Sequence, residues 1–230
     1  MSQMGSLHLP IPQGYLKFGG WALAIGGLMG FSGQLLHIGD TPASLGDIPD
    51  FVETAVNTHV WLAWASILIL MGLPAMYLRQ AAGLKWWGWI GLPLLFVGMI
   101  LEIFHGPFQI FSYPIIYSLV STDEVLNTVN GYVNNLMVDD YPTTLFVLIP
   151  LMPGLFLGLI LLGISTIKAK ALHRGLGIFV LVVIGLLIAG MFMPEDVNTF
   201  STVHLIFVAF GVVLLREKKA EASVSTGAAA

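Results

Sequence analysis

The chain has 230 residues, 57% of them hydrophobic and only 10% charged, with 26 glycines, no cysteine and a formal net charge of −4. That much apolar surface exceeds what a soluble core buries and describes an all-α, polytopic membrane protein. The missing cysteines exclude disulfides, thiolate metal sites and iron–sulfur ligation, and the few dispersed basic residues exclude a nucleic-acid surface.

Apolar runs close to the ~20 residues that cross a bilayer occur at 18–36, 59–78, 86–105, 144–167, 176–193 and 200–215. Six transmembrane helices are therefore expected in a single domain spanning 1–219. Residues 220–230 form a small-residue tail expected to be disordered and cytoplasmic. All nine basic residues fall before the first run, between the second and third, between the fourth and fifth, or after the sixth. With six spans these places share one side, which the positive-inside rule makes cytoplasmic together with both termini. The acidic residues other than Glu217 and Glu221 sort to the opposite face. Residues 1–14 lack a basic n-region and a cleavage site, so no cleaved signal peptide is expected.

In chain order, the first span pairs Gly26 with Gly30, a four-residue spacing that lets helices approach closely in lipid, and ends in Gln34 and His37. The segment 38–57, rich in Asp, Pro and Gly, is expected to be a loop. In the second span His59, Ala63 and Ser66 share one helical face. The third carries Gly91, Gly98, Glu102, His105 and Gln109 on one stripe, and Pro107 is expected to end it. Residues 108–120 are apolar but too short to cross and are expected to lie on the surface or re-enter. Ser121 to Glu124 reads as a capping box that starts an amphipathic helix over about 121–138 on the non-cytoplasmic face, with Leu136 and Met137 in its apolar stripe. The fourth span holds Pro150 and Pro153 and should kink. The sixth carries Ser201 and His204 on one stripe.

Depth follows from counting at about 1.5 Å per residue from the basic anchors. His37 follows Lys17, His59 precedes Arg79 and His105 follows Lys85, each by 20 residues. The three histidines should therefore stand at one level near the non-cytoplasmic face, with Glu102 about 5 Å and His204 about 12 Å deeper. An ionisable group inside an apolar span is costly and by default functional.

Neutral imidazoles with a carboxylate suit Zn²⁺, Fe²⁺ or Cu²⁺, and two histidines on facing spans suit a b-type haem. On this reading His59, His105 and His204 are metal or haem ligands, His37 is a fourth ligand or a gate, and Glu102 orients a histidine or shuttles protons. Gln34 and Ser201 are expected to bond the remaining ring nitrogens. The chemistry would be redox or metal-assisted. Two other readings stay open. One is a proton-linked transporter or a protein binding a lipid, quinone or other small ligand; the other is a non-catalytic subunit or assembly factor docking another membrane subunit. In every case the lipid bilayer is a partner.

Overall fold

The computed structural model describes residues 11–135, 141–190, 192 and 198–217, without the side chains of His105, Thr144 and Leu148. The tail 220–230 and the expected apolar positions Leu136 and Met137 lie outside the described residues. The fold is all-helical, with α1 Gln13–Leu36, α2 Ile48–Gln80, α3 Trp86–Pro107, α4 Tyr113–Ser118, α5 Asp123–Asn135, α6 Leu145–Ala169, α7 Arg174–Gly190 and α8 Val203–Arg216.

Among the described residues three helical stretches, Leu45–Gly83, Trp86–Ser118 and Leu145–Ala169, are long and apolar enough to cross a membrane, and Arg174–Gly190 and Phe200–Arg216 are shorter apolar helices. This is the make-up of a multi-pass membrane protein. Helix α1 is also long, 24 residues, but its seven glycines dilute its hydropathy. Large apolar side chains such as Trp21, Leu28, Trp64, Phe146 and Leu157 stand exposed around the outside. In a bilayer, where lipid tails are as apolar as leucine, that surface needs no cover.

The long helices pack as neighbours in chain order: α1 on α2, α2 on α3, α3 on α6, α6 on α7, with α8 touching α7 and returning to α1. Glycine makes these approaches possible. On α1 the repeat is seven residues, not four. Gly19, Gly26 and Gly33 face α2 at Ala75, at Ala65 to Ile69, and at Leu62, whereas Gly20, Gly27 and Gly30 face α8. Gly26 and Gly30 thus serve different partners, because a seven-residue spacing returns to one face of the helix more closely than a four-residue one. On the other side Gly98 meets Gly154, and Gly163 meets Gly177. Between these contacts the core is mostly apolar, with Leu23, Ile69, Leu73, Met76, Leu95, Leu159, Phe207 and Phe210 completely buried.

Three expectations from the sequence change at the end of the bundle that carries α4 and α5. Half of the expected loop 38–57 is helical, since α2 begins at Ile48. Pro49 in its first turn gives up no helical bond there, and Phe51 and Ala55 are buried with Tyr113, Tyr117, Leu126 and Val133 in a second small core. Pro107 does not stop the chain from coiling: α3 runs through a π-helical stretch, Phe108–Ser112, into α4. Pro107 and Pro114 both lack the amide that an α-helical ladder needs, and a wider turn between them absorbs the mismatch. Thr122, rather than Ser121, caps α5, its hydroxyl accepting from the Val125 amide at 3.3 Å.

The glycine contacts set a clear contrast. A Cβ on Gly211 would come within 2.6 Å of the Ala24 amide nitrogen and the Gly20 carbonyl, both backbone atoms, whereas one on Gly185 of α7 would meet nothing within 4 Å. Gly211→Val should lower stability by about 2 kcal/mol or more, by forcing α1 and α8 apart. Gly185→Ala should leave stability unchanged or raise it by up to about 1 kcal/mol. Thermal unfolding of the two detergent-purified variants checks the pair.

Candidate functional site

At the α4/α5 end of the bundle the helices enclose a cavity of about 410 Å³. Helix α2 supplies His59, Leu62, Ala63 and Ser66, which the helical repeat sets on one face. Gln34 and His37 come from the end of α1, and Glu102 and Gly106 from α3. Leu151 and Met152 of α6, together with Phe200, complete an apolar side. The ionisable groups His37, His59 and Glu102 come from the end of α1, from α2 and from α3.

In the cavity the two histidines meet each other. His37 is the residue at which α1 ends, its backbone already extended at φ −66°, ψ 124°. This turns the chain out of the helix where Gly33, one turn earlier, lies against Leu62 of α2. The two Nε2 atoms are 3.3 Å apart, and the rings meet edge to face with centroids 4.9 Å apart. His59 is buried, at 4% exposure, and its Nδ1 lies 2.8 Å from the Ala55 carbonyl oxygen.

The carbonyl contact places one proton. A carbonyl only accepts, so Nδ1 of His59 carries the hydrogen in that contact. With the ring neutral, its Nε2 offers a lone pair into which the Nε2–H of His37 donates. The Ala55 carbonyl is in turn held by packing, because Ala55 belongs to the small core with Phe51, Tyr113 and Tyr117. The loop after His37 is pinned to the same core. Tyr113 donates to the Asp40 carbonyl at 2.9 Å, Gln109 to the Asp40 carboxylate at 3.2 Å, and Asn130 of α5 to the Pro42 carbonyl at 2.9 Å. Gln109, placed by its spacing on the Glu102 stripe, is turned by the π-helical stretch toward Asp40 instead.

Glu102 is surrounded by protein atoms yet keeps part of its surface accessible, because that surface faces the cavity. His105 lies on α3 three residues beyond Glu102 and next to the cavity-lining Gly106; its side chain is outside the described residues. His204 has a different setting. It is 2% exposed, its ring lies against Gly30 of α1, and it is not among the residues that line the cavity. The Ser201 backbone interacts with it without closing a hydrogen bond on Nδ1. Gly30 precedes His37 by seven residues, so His204 stands about 10 Å deeper than the histidine pair.

The structure thus brings His37 and His59 together and sets Glu102 in the same cavity, while His204 sits on a separate face between α1 and α8. Among the described residues no three His, Asp or Glu side chains stand close enough to hold one metal ion. The expected polar partners also differ. Nδ1 of His59 bonds the Ala55 carbonyl, and the Ser201 hydroxyl bonds the Asn198 carbonyl at 3.1 Å. Asn198 also reaches the Gln34 carbonyl, one of the last four of α1, which have no partner within the helix. The apolar lining residues Leu151, Met152 and Phe200 have no signature in the sequence beyond the kink expected at Pro150 and Pro153.

Comparison with known protein families, with curated proteins and with solved structures finds nothing that matches the chain. The pairing of the histidines can be read spectroscopically: nitrogen-15 NMR of histidine-labelled protein should show His59 protonated at Nδ1 and His37 at Nε2, with both signals perturbed when either partner is changed to alanine. An Nε2-protonated His59 would break the assignment.

Proposed function

We propose that this is a six-span membrane protein, with both termini cytoplasmic, that binds a small amphiphilic ligand near its non-cytoplasmic face in a proton-linked manner. In this topology α1, α2, α3, α6, α7 and α8 are the spans, and the basic anchors Lys17, Arg79, Lys85, Lys168, Arg174 and Arg216 all sit at the cytoplasmic ends of these helices. Helices α4 and α5 form an outer cap, α5 turning its buried Leu126 and Val133 toward the small core.

The observation that carries the reading is one cavity of about 410 Å³ with an apolar side and an ionisable side of His37, His59 and Glu102. Its volume is in the range that takes a small organic ligand. Intramembrane carboxylates and histidines mark proton-linked sites, and a histidine pair bonded Nε2 to Nε2 is suited to such a role. When a proton enters at Nδ1 of His37, its Nε2–H can pass to the Nε2 of His59, which leaves His37 neutral with an acceptor at Nε2, so the hydrogen bond reverses with no change of helix position. A ligand with a carboxyl, hydroxyl or carbonyl at one end would meet donors and acceptors there, with its apolar body against Leu62, Leu151, Met152 and Phe200.

A second reading is a metal site, favoured by one distance. Two metal–nitrogen bonds of about 2.0–2.1 Å at a tetrahedral angle hold the nitrogens about 3.4 Å apart, close to the 3.3 Å of the pair. A ligand histidine commonly donates its other ring N–H to a carbonyl, as His59 does to Ala55. Zn²⁺, Fe²⁺ or Cu²⁺ would then need a further ligand, for which His105 is the candidate. A b-type haem fits less well, since a linear nitrogen–iron–nitrogen axis with bonds of similar length holds the two nitrogens about 4 Å apart.

Native mass spectrometry and metal analysis of the gently purified protein separate these readings. The expected result is one bound organic molecule per chain and no stoichiometric metal, with the ligand depleted about tenfold or more in His59→Ala and Glu102→Gln. Stoichiometric zinc, iron or copper that is lost in His37→Ala would overturn the first reading in favour of the second.

A further inference from the structure

Two residues of α6, Leu151 and Met152, belong to the apolar lining of the cavity. Helix α6 behaves as two halves. From Gly154 onward it lies tightly on α3, with Gly154 against Gly98 and Gly158 against Leu95, and Leu155, Leu159 and Leu162 are fully buried. Before Gly154 the side chains stand out: Phe146 is 80% exposed, Ile149 61% and Met152 47%. Met152 is the residue that belongs to both surfaces, since it also lines the cavity.

This half of α6 is also the weaker one. Pro150 and Pro153 sit inside the helix and offer no amide to the carbonyls of Phe146 and Ile149, so two successive turns lack a hydrogen bond. A helix without those bonds bends at low cost and lets a neighbouring side chain swing aside. The loop after His37, by contrast, is tied down, bonded through Asp40 and Pro42 to Tyr113 and Asn130. The aqueous end is therefore the pinned end, and the side at Met152 is the loose one.

We infer that the cavity admits its ligand sideways from the bilayer, through a portal at Met152 of α6, and that the ligand is a bilayer-dissolved amphiphile with an apolar body and one polar end. This rests on the cavity being a ligand pocket. The polar end travels inward to His37, His59 and Glu102, and the apolar body trails past Leu151 and Met152 toward lipid. A water-dissolved, strongly charged ligand has no reason to meet this sequence of surfaces, because it would shed its hydration against leucine, methionine and phenylalanine before reaching a polar group.

The chain contains no cysteine, so one introduced thiol reports without background. Ser66 is buried at 1% exposure on the cavity face of α2, and Ser66→Cys places a thiol there with little change of shape. In proteoliposomes the apolar benzyl methanethiosulfonate should label it on the order of tenfold faster than the charged sulfonatoethyl reagent, beyond the ratio that each shows with a free thiol under the same conditions. Adding Met152→Trp should slow the benzyl reagent about fivefold or more. Leu157→Trp, on the exposed side of the same helix and away from the cavity, should not slow it. Preferential labelling by the charged reagent, or equal slowing by the two tryptophans, would overturn lateral access while leaving the pocket intact. Labelling by neither reagent would overturn the pocket and the portal together.

Discussion

The closeness of α1 to its two neighbours is the constraint on which the rest depends. Helices in lipid gain nothing from hiding apolar side chains, so contact must come from backbones that approach closely enough for dispersion to accumulate. Gly19, Gly26 and Gly33 on one face and Gly20, Gly27 and Gly30 on another let α1 lie against α2 and α8 together. Only because Gly33 brings the end of α1 onto Leu62 does the next residue on that face, His37, reach across to His59. A bulkier α1 would separate the imidazoles by several ångströms and open the wall of the cavity.

A second layer of control comes from the cap. The small core of Phe51, Ala55, Tyr113 and Tyr117 holds the first two turns of α2, and the carbonyl that fixes the His59 tautomer belongs to a member of that core. Packing at the end of the bundle is thereby converted into proton placement inside the cavity. The same core anchors the loop after His37 through Asp40 and Pro42, so both members of the histidine pair are positioned from one place. In the proposed function this gives the ionisable wall rigidity and leaves movement to the proline-weakened half of α6.

Much of the helical scaffold was legible in the sequence because bilayer thickness and glycine content act on whole segments. The helical runs stood out by length, and the depth count from Lys17 and Arg79 set His37 and His59 at one level, where they touch. It also put His204 deeper, where it packs on Gly30. What the sequence hid depends on backbone detail. The carbonyl of Ala55 has no signature of its own, and the π-helical stretch that turns Gln109 toward Asp40 arises from the joint effect of Pro107 and Pro114. The split of Gly26 and Gly30 between two neighbours follows from a seven-residue repeat that a search for four-residue pairs overlooks. His204 fitted a shared centre by spacing alone, since a helical stripe says which residues share a face but not which neighbour that face meets.

The account stands most directly on what occupies the space between Met152 and the histidine pair. A cryo-electron microscopy map of the protein in lipid nanodiscs measures this. The account predicts elongated density inside the cavity, one end within hydrogen-bond distance of His37, His59 or Glu102 and the other emerging beside Met152 toward lipid. A compact peak bonded to both Nε2 atoms, or side chains collapsed into the cavity with no room left, would contradict it.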